Sequence, residues 1–541
     1  MESKSEARGS FVKQAVILAS AGMLVRLIGF LYRLPLTGMI GDEGNGIYGR
    51  GYNIYLFFLI LSSAGLPAAI SKMVSERIAL QEYKNAHKIF KVSLMAAAVI
   101  GFAASLALAL SAGAIANLSQ SPRSTSALLS LAPTLFFVAL LAVFRGYFQG
   151  MNNTVPTAVS QTVEQVFNAF FSVFLAYTFV NSVTDDPIAW GATGGTIGTG
   201  IGAVAGLAVI IWIYYLAKPR IISRTKKDTV SDADDMSSKD IVKTLAKIAI
   251  PMIIGAAIFS IAGLIDLFMV SRRLTDIGYT PEKADELYGL LTGKYTVLTT
   301  LPVAISTALA TAAIPSIAAS VALKKYKTVK NKINLSFRIS MILSIPSAIG
   351  LAVLGDQILA TLFPNYPGGG VLVTVGAVSI IFLAVVQIVT GMLQAVGRVN
   401  VPVIGAAVGV LLKIPLNYIL IGNPDINVLG AVISSIVCYI VAAAIDLYFL
   451  TKITKVKPNY KMIMVKPLIA SCVMGVVCYI FYTFFFFLLG SNAIATIIAI
   501  VIGMVSYFFF MLYIKGLYAE DIARFPGGRK LCTSLRKLKM I

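Results

Sequence analysis

The 541 residues are 57% apolar and 13% charged, with a mean hydropathy of +0.84 and a formal net charge of +21. A soluble domain carries about 25% charged residues, so these figures exclude an ordinary soluble enzyme and place the chain in lipid. Four cysteines without a CxxC pair (Cys438, Cys472, Cys478, Cys532) and a single histidine, His87 in a basic loop, exclude a centre built on clustered thiols and imidazoles.

The first apolar run covers 11–33 and continues past the small-residue stretch Ala19-Ser20-Ala21, which makes it an anchor and not a cleaved signal peptide. Arg26 and Arg33 lie inside it, nearly two helical turns apart and so on one side of the helix. A guanidinium facing lipid near the bilayer centre costs at least ~2.5–3.5 kcal/mol. Both arginines are therefore expected to face the bundle interior and hold an anion, phosphate above all, through bidentate donors. The competing readings are that Arg33 reaches the outer headgroups and that Arg26 caps a carbonyl or pairs with an acid.

Further runs of about 20 residues, each long enough to span, fall at 48–71, 92–113, 127–148, 156–180 and 191–217, the last opening on a Gly-rich stretch suited to close helix packing. A charged polar stretch, Ser223 to Asp240, reads as a linker. The second half continues at 244–270, 292–320, 337–360, 370–392, 401–421, 429–450, 465–487 and 492–514, for fourteen spans in all, before a basic tail over 515–541.

Arg50 and Lys294 lie near the outer ends of spans two and eight, as cavity cations or as interface anchors, and Lys413 lies mid-span in the eleventh beside Pro415. The acids within spans are Glu164, Asp266 and Asp446. Glu164 sits in a polar stripe with Gln161, Gln165 and Asn168. Glu164 and Asp266 are candidates for binding the Na⁺ or H⁺ that drives transport, or for a structural ion pair, Glu164 with Lys413 being one.

With the N-terminus inside, 36 of the 45 Lys and Arg fall in cytoplasmic segments and their flanks, four in outer loops and five within spans. This bias sets orientation, with both termini cytoplasmic, and accounts for the net charge as contact with anionic headgroups. Nucleic acid is not an expected partner. The chain also repeats at an offset of about 245 residues. Gly146, Gln149 and Pro156 match Gly391, Gln394 and Pro402. Tyr48-Gly49 matches Tyr288-Gly289, Pro67 matches Pro315, and Trp190-Gly191-Ala192 matches Leu429-Gly430-Ala431. Six spans separate equivalent positions, so the halves share one orientation and are expected to be related by a pseudo-twofold along the membrane normal. The expected fold is an all-α polytopic membrane protein: a lobe over 1–217, a linker over 218–243, a second lobe over 244–450, two extra helices over 451–514 and the tail. The paired prolines mark helix starts or bends. No Walker loop, GxSxG, HExxH or paired-carboxylate motif occurs, so an ATP pump and a membrane enzyme are disfavoured and no cofactor is expected.

The runs Gly29-Phe30-Leu31-Tyr32-Arg33-Leu34-Pro35, Gly41-Asp42-Glu43-Gly44-Asn45-Gly46-Ile47-Tyr48, Ala64-Gly65-Leu66-Pro67-Ala68-Ala69-Ile70-Ser71-Lys72 and Phe144-Arg145-Gly146-Tyr147-Phe148-Gln149-Gly150 resemble the stage V sporulation protein B and YtgP branch of the multidrug/oligosaccharidyl-lipid/polysaccharide exporter superfamily. This branch is similar to the MurJ lipid II flippases. The resemblance implies two six-helix lobes, a central cavity open alternately to either side, and a groove from the two extra helices for a polyprenyl tail. It also implies that Arg26 and Arg33 correspond to the arginines flanking a Gly-Phe core in MurJ, with one additional residue between them. The chain departs from the Gram-negative pattern at Tyr48, where an acid is usual, and near Lys294, about one turn from the usual arginine.

The function expected is an alternating-access flippase for a polyprenyl-pyrophosphate-linked glycan, lipid II foremost, in the bacterial cytoplasmic membrane. Its driving force is Na⁺, H⁺ or the membrane potential, and its partners are membrane lipids and possible cell-wall synthesis enzymes. The alternatives are a cation-coupled multidrug antiporter, a flippase for another polysaccharide or spore precursor, and a non-transporting scaffold.

Overall fold

The computed structural model describes residues 17–225 and 236–517, apart from 19, 324 and 457. Part of the first expected span, the middle of the linker, and the tail beyond residue 517 with Cys532 lie outside the described residues. Within them every regular element is helical and no strand occurs.

Ser20–Leu31 (α1) runs through Tyr32 almost without interruption into Arg33–Ser63 (α2). There follow Leu66–Ala79 (α3), Tyr83–Leu118 (α4), Thr125–Gly150 (α5), Val155–Ser182 (α6), Pro187–Thr225 (α7), Ser238–Asp276 (α8) and Pro281–Gly289 (α9). A π-helical turn, Leu290–Tyr295, leads into Thr296–Ala322 (α10). Tyr326–Leu362 (α11), Gly370–Gly376 (α12), Val378–Ala395 (α13), Asn400–Ile421 (α14), Leu429–Thr454 (α15), Lys466–Leu489 (α16) and Asn492–Tyr513 (α17) complete the chain.

Twelve helices among the described residues are long and apolar enough to cross a membrane. The two other expected spans are α1, twelve residues in its described part, and α10, several of whose side chains lie outside the described set. Many helices outrun the expected spans: α4 has 36 residues, about 54 Å at 1.5 Å each, against a hydrocarbon core of about 30 Å. The basic loop expected around His87 is thus mostly helix. His87 is half-buried on α4, its ring 5.9 Å from that of Phe90, and so only partly open to solvent. Gly41, at φ 68° and ψ −171°, breaks α2; a residue without Cβ takes that conformation at no steric cost.

The chain packs as two compact units, one formed by the residues to Gly293 together with Asn417–Val428, the other by Lys294–Leu416 and the residues from Leu429. In the first, Phe90 of α4 is packed by Phe144 and Tyr147 of α5 and Tyr214 of α7, at ring distances of 4.5–5.2 Å. Leu66, Ile70 and Val74 of α3 and Ile241 of α8 extend that core. In the second, Phe337 and Met341 of α11 pack with Ile388, Val389 and Met392 of α13 and with Ala442 and Leu450 of α15. The two C-terminal helices dock on α11: Tyr507 Oη donates to the Ile342 carbonyl (2.9 Å), and Asn492 Nδ2 donates to Thr361 Oγ1 (2.9 Å).

The repeat is visible in each unit separately. A Cβ on Gly146 of α5 would lie 2.8 Å from the Pro67 carbonyl of α3, and one on Gly391 of α13 would lie 2.8 Å from Ala310 Cβ of α10. Pro67 and Pro156 stand in the first turns of α3 and α6, where a missing N–H is harmless. Pro402 opens α14, while Pro315 falls within α10 with its side chain outside the described set.

Candidate functional site

Arg26, Gly29 and Arg33 share one face of the α1–α2 helix. Arg26 is exposed and Arg33 half-buried; between them Gly29 leaves room for α6, where a Cβ would sit 3.3 Å from Gln165 Nε2. The Arg33 guanidinium lies 5.6 Å from the Tyr48 ring centroid and 6.0 Å from that of Tyr52, at cation–π range. Tyr48 stacks on Tyr52 at 5.8 Å, Tyr52 meets Tyr55 at 5.9 Å, and the Tyr32 and Tyr48 hydroxyls are 3.0 Å apart. Among the described residues neither Arg26 nor Arg33 has a carboxylate partner. On the flank of the same helix, Ile28, Leu31, Tyr32 and Pro35 line an apolar groove of about 670 Å³ with Phe170 and Phe174 of α6.

The other candidate cations are engaged within the protein. Arg50 is fully buried; it forms an ion pair with Asp285 and donates to the Ser119 carbonyl (2.8 Å) and Ser271 Oγ (2.6 Å), with the Tyr288 ring 4.8 Å away. Asp285 also accepts from Ser121 Oγ at 3.0 Å. Lys294, also fully buried, sits in the π-helical turn and donates to the carbonyls of Tyr366 (2.5 Å) and Gly368 (3.1 Å). Lys413 is buried and donates to Ser435 Oγ at 2.9 Å.

The acids are placed as definitely. Glu164 accepts from Arg145 at 2.6 Å, and Ser160 Oγ accepts from the same guanidinium nitrogen at 2.9 Å, so the ion pair of Glu164 is with Arg145 and not with Lys413. Asp266 accepts from Asn417 Nδ2 at 2.9 Å. Outside the spans, Asp186 accepts two bonds from Arg123, which also pairs with Glu43. Those bonds hold the Asp186 carboxyl below the usual carboxylate range.

The glycine-rich segment after Gly41 brings α2 and α9 together backbone to backbone. A Cβ on Gly46 would stand 1.9 Å from the Asp285 carbonyl oxygen, and one on Gly289 would stand 1.8 Å from that of Asp42. This approach seals Arg50 and Asp285 from water. Asp285 and Arg145 are the ion-pair partners that sequence reasoning missed. The signal for Arg145 was its place in a motif beside Gly146; for Asp285 it was only its nearness to the repeated Tyr288-Gly289 pair.

Residues 11–321, more than half of the chain, match the family model described as "Polysaccharide biosynthesis protein", and residues 295–419 match that described as MatE. The chain is 25% identical to Stage V sporulation protein B of Bacillus subtilis (strain 168), over 84% of this chain and 86% of that protein. It is 27% identical to Lipid II flippase MurJ of the same organism, over 87% of each. Among solved structures, Lipid II flippase MurJ in an inward closed conformation superposes with a TM-score of 0.67 at 16% identity, covering 92% of this chain and 98% of that one; at that identity the likeness concerns the fold. The resemblance read from the motifs is thereby borne out, and the fold is that of transporters and flippases of the multidrug/oligosaccharidyl-lipid/polysaccharide exporter superfamily, multipass proteins of the bacterial membrane. The chain belongs to the polysaccharide biosynthesis protein family.

Proposed function

We propose that this chain is an alternating-access flippase that moves a polyprenyl-pyrophosphate-linked glycan, lipid II foremost, from the inner to the outer leaflet. The observation that carries the reading is the contrast among arginines. Of the arginines within the spans, Arg50 and Arg145 each hold a carboxylate, whereas Arg26 and Arg33 hold none among the described residues and Arg33 rests on tyrosine rings; Arg272 and Arg398, also without one, lie exposed outside the expected spans. A permanent cation kept over aromatic faces and left without a counter-ion fits a ligand that brings the negative charge. The groove beside Tyr32 offers hydrocarbon surface on the same helix.

A pyrophosphate headgroup loses its water in hydrocarbon at a prohibitive cost, and Arg26 and Arg33 would replace part of that hydration. Of the five cations first considered, we keep these two as headgroup contacts and assign Arg50, Lys294 and Lys413 to internal bonds. The lobes over 1–217 and 244–450 would rock about the cargo, with both termini cytoplasmic. An inside-negative potential favours outward movement of each negative charge by about 2.3 kcal/mol per 100 mV.

The MatE match over 295–419 favours a second reading, a cation-coupled multidrug antiporter. Such a site needs an acid open to the cargo, whereas Glu164 is already held by Arg145 and Asp446 is fully buried. Complementation of a strain depleted of its own lipid II flippase separates the readings. Wild type is expected to restore growth and Arg33→Ala to fail at matched membrane levels. Failure of well-expressed wild type would remove lipid II as the cargo, and rescue by Arg33→Ala would remove the anion site.

A further inference from the structure

Asp446 of α15 is the acid that neither the fold nor the proposed cargo site uses. It is fully buried, and neither carboxyl oxygen makes a hydrogen bond. Of the three acids expected within spans, Glu164 has Arg145 and Asp266 has Asn417; Asp446 has no such donor. Its surroundings are close and neutral. A Cβ on Gly405 of α14 would lie 2.8 Å from Asp446 Oδ1 and 3.3 Å from the Ala442 carbonyl oxygen, so α14 covers the carboxyl directly. One turn along, Gly409 makes the same approach to the Cys438 carbonyl at 2.7 Å. The neighbouring hydroxyl on α13, Thr390 Oγ1, makes no hydrogen bond of normal geometry either.

No compensating cation faces it. Neither α13 nor α10 contains a charged residue. The one cation of α14, Lys413, is two turns beyond Gly405 and donates to Ser435. Lys452 of α15 is exposed over the Tyr448 ring, and the contacts of Arg338 on α11 do not include Asp446. An ionised carboxylate in that setting would lose its hydration with no more than the poorly aligned Thr390 hydroxyl in return. A carboxylic acid needs no counter-ion and can share its O–H with Thr390 or the Ala442 carbonyl.

We propose that Asp446 is a proton-binding site linked to conformation: it carries a proton while α14 covers it and releases that proton to water when α14 and α15 part. Proton binding then favours the covered state, and the free-energy link between the two is reciprocal. The inference requires a transporter that changes conformation; it does not require that the cargo be a lipid-linked glycan.

The test uses the purified full chain in lipid nanodiscs, without cargo. Infrared spectra at pH 6 are expected to show a protonated-carboxyl band that disappears in Asp446→Asn. Amide hydrogen exchange of α14 and α15, corrected for intrinsic rates, is expected to rise between pH 6 and pH 8 in wild type, by at most about tenfold per pH unit for one proton. Asp446→Asn, fixed in the neutral form, is expected to show the low-pH protection throughout, and Asp446→Glu to restore the dependence. Absence of the band, or an unchanged pH dependence in Asp446→Asn, would overturn the proposal. Should Asp446→Asn fail to assemble, the shift of the band between wild type and Asp446→Glu decides the same question. Failure in complementation with success here would remove lipid II as the cargo and leave the proton site standing.

Discussion

Replacing Asp285 by Asn removes the counter-charge of Arg50 and leaves the guanidinium in place. Arg50 has no exposed surface, and its remaining bonds, to the Ser119 carbonyl and Ser271 Oγ, are to neutral groups. Removing one partner of a buried pair costs about 3–5 kcal/mol, because an uncompensated charge stays behind. The neighbouring carbonyl and the Tyr288 face, 4.8 Å away, return only part of this, since a desolvated cation–π contact contributes about 2 kcal/mol. Asp285→Asn is therefore expected to lose about 3 kcal/mol in unfolding measured in detergent. The double variant Arg50→Met/Asp285→Asn should recover part of that loss, since no uncompensated charge then stays buried. The double-mutant cycle gives the coupling directly. Wild-type stability in Asp285→Asn would refute the reasoning, as would a double variant no better than the single.

Gly289→Ala should destabilise by at least about 1–3 kcal/mol, because its Cβ would meet the Asp42 carbonyl oxygen at 1.8 Å; thermal unfolding reads this, and a tolerated alanine would contradict the close approach of α2 and α9. Glu164→Gln should lower stability by about 1–3 kcal/mol, by leaving Arg145 without its carboxylate, and Arg145→Gln on that background should add little further loss. Asp186 is held below the usual carboxylate range by Arg123. Its contribution is therefore present above the unfolded value of about 3.9 and is lost as pH falls through the folded value. The stability gap between wild type and Arg123→Ala should narrow below about pH 4 and hold constant between pH 5 and pH 8, as acid titrations of both would show.

The spans, the repeat and the shared face of Arg26 and Arg33 were legible because each is written in local periodicity or composition. Helical spacing told that two arginines share a face, and the structure keeps them on one face with Gly29 between. Partner choice was not legible. Arg50 and Asp285 lie 235 residues apart in the chain, and only the crossing of α2 over α9 joins them. Glu164 was matched with Lys413 by repeat position, yet Arg145 on the adjacent helix reaches it first. His87 was assigned to solvent because hydropathy ends where lipid ends, whereas α4 starts ahead of the apolar run and its first turns set His87 against Tyr147 of α5 and against Phe90 of the same helix. The Tyr48 ring lies beneath the Arg33 guanidinium; a tyrosine there leaves the cation's charge uncancelled, which sequence alone could not show.

The most direct test of the account is flipping of lipid II by the purified protein in proteoliposomes, with wild type compared against Arg26→Ala and Arg33→Ala under an imposed inside-negative potential. The account predicts outward flipping by wild type that quickens with the potential, and loss of at least tenfold in each variant with folding intact. Variants that flip at the wild-type rate would contradict the assignment of these two arginines to the cargo.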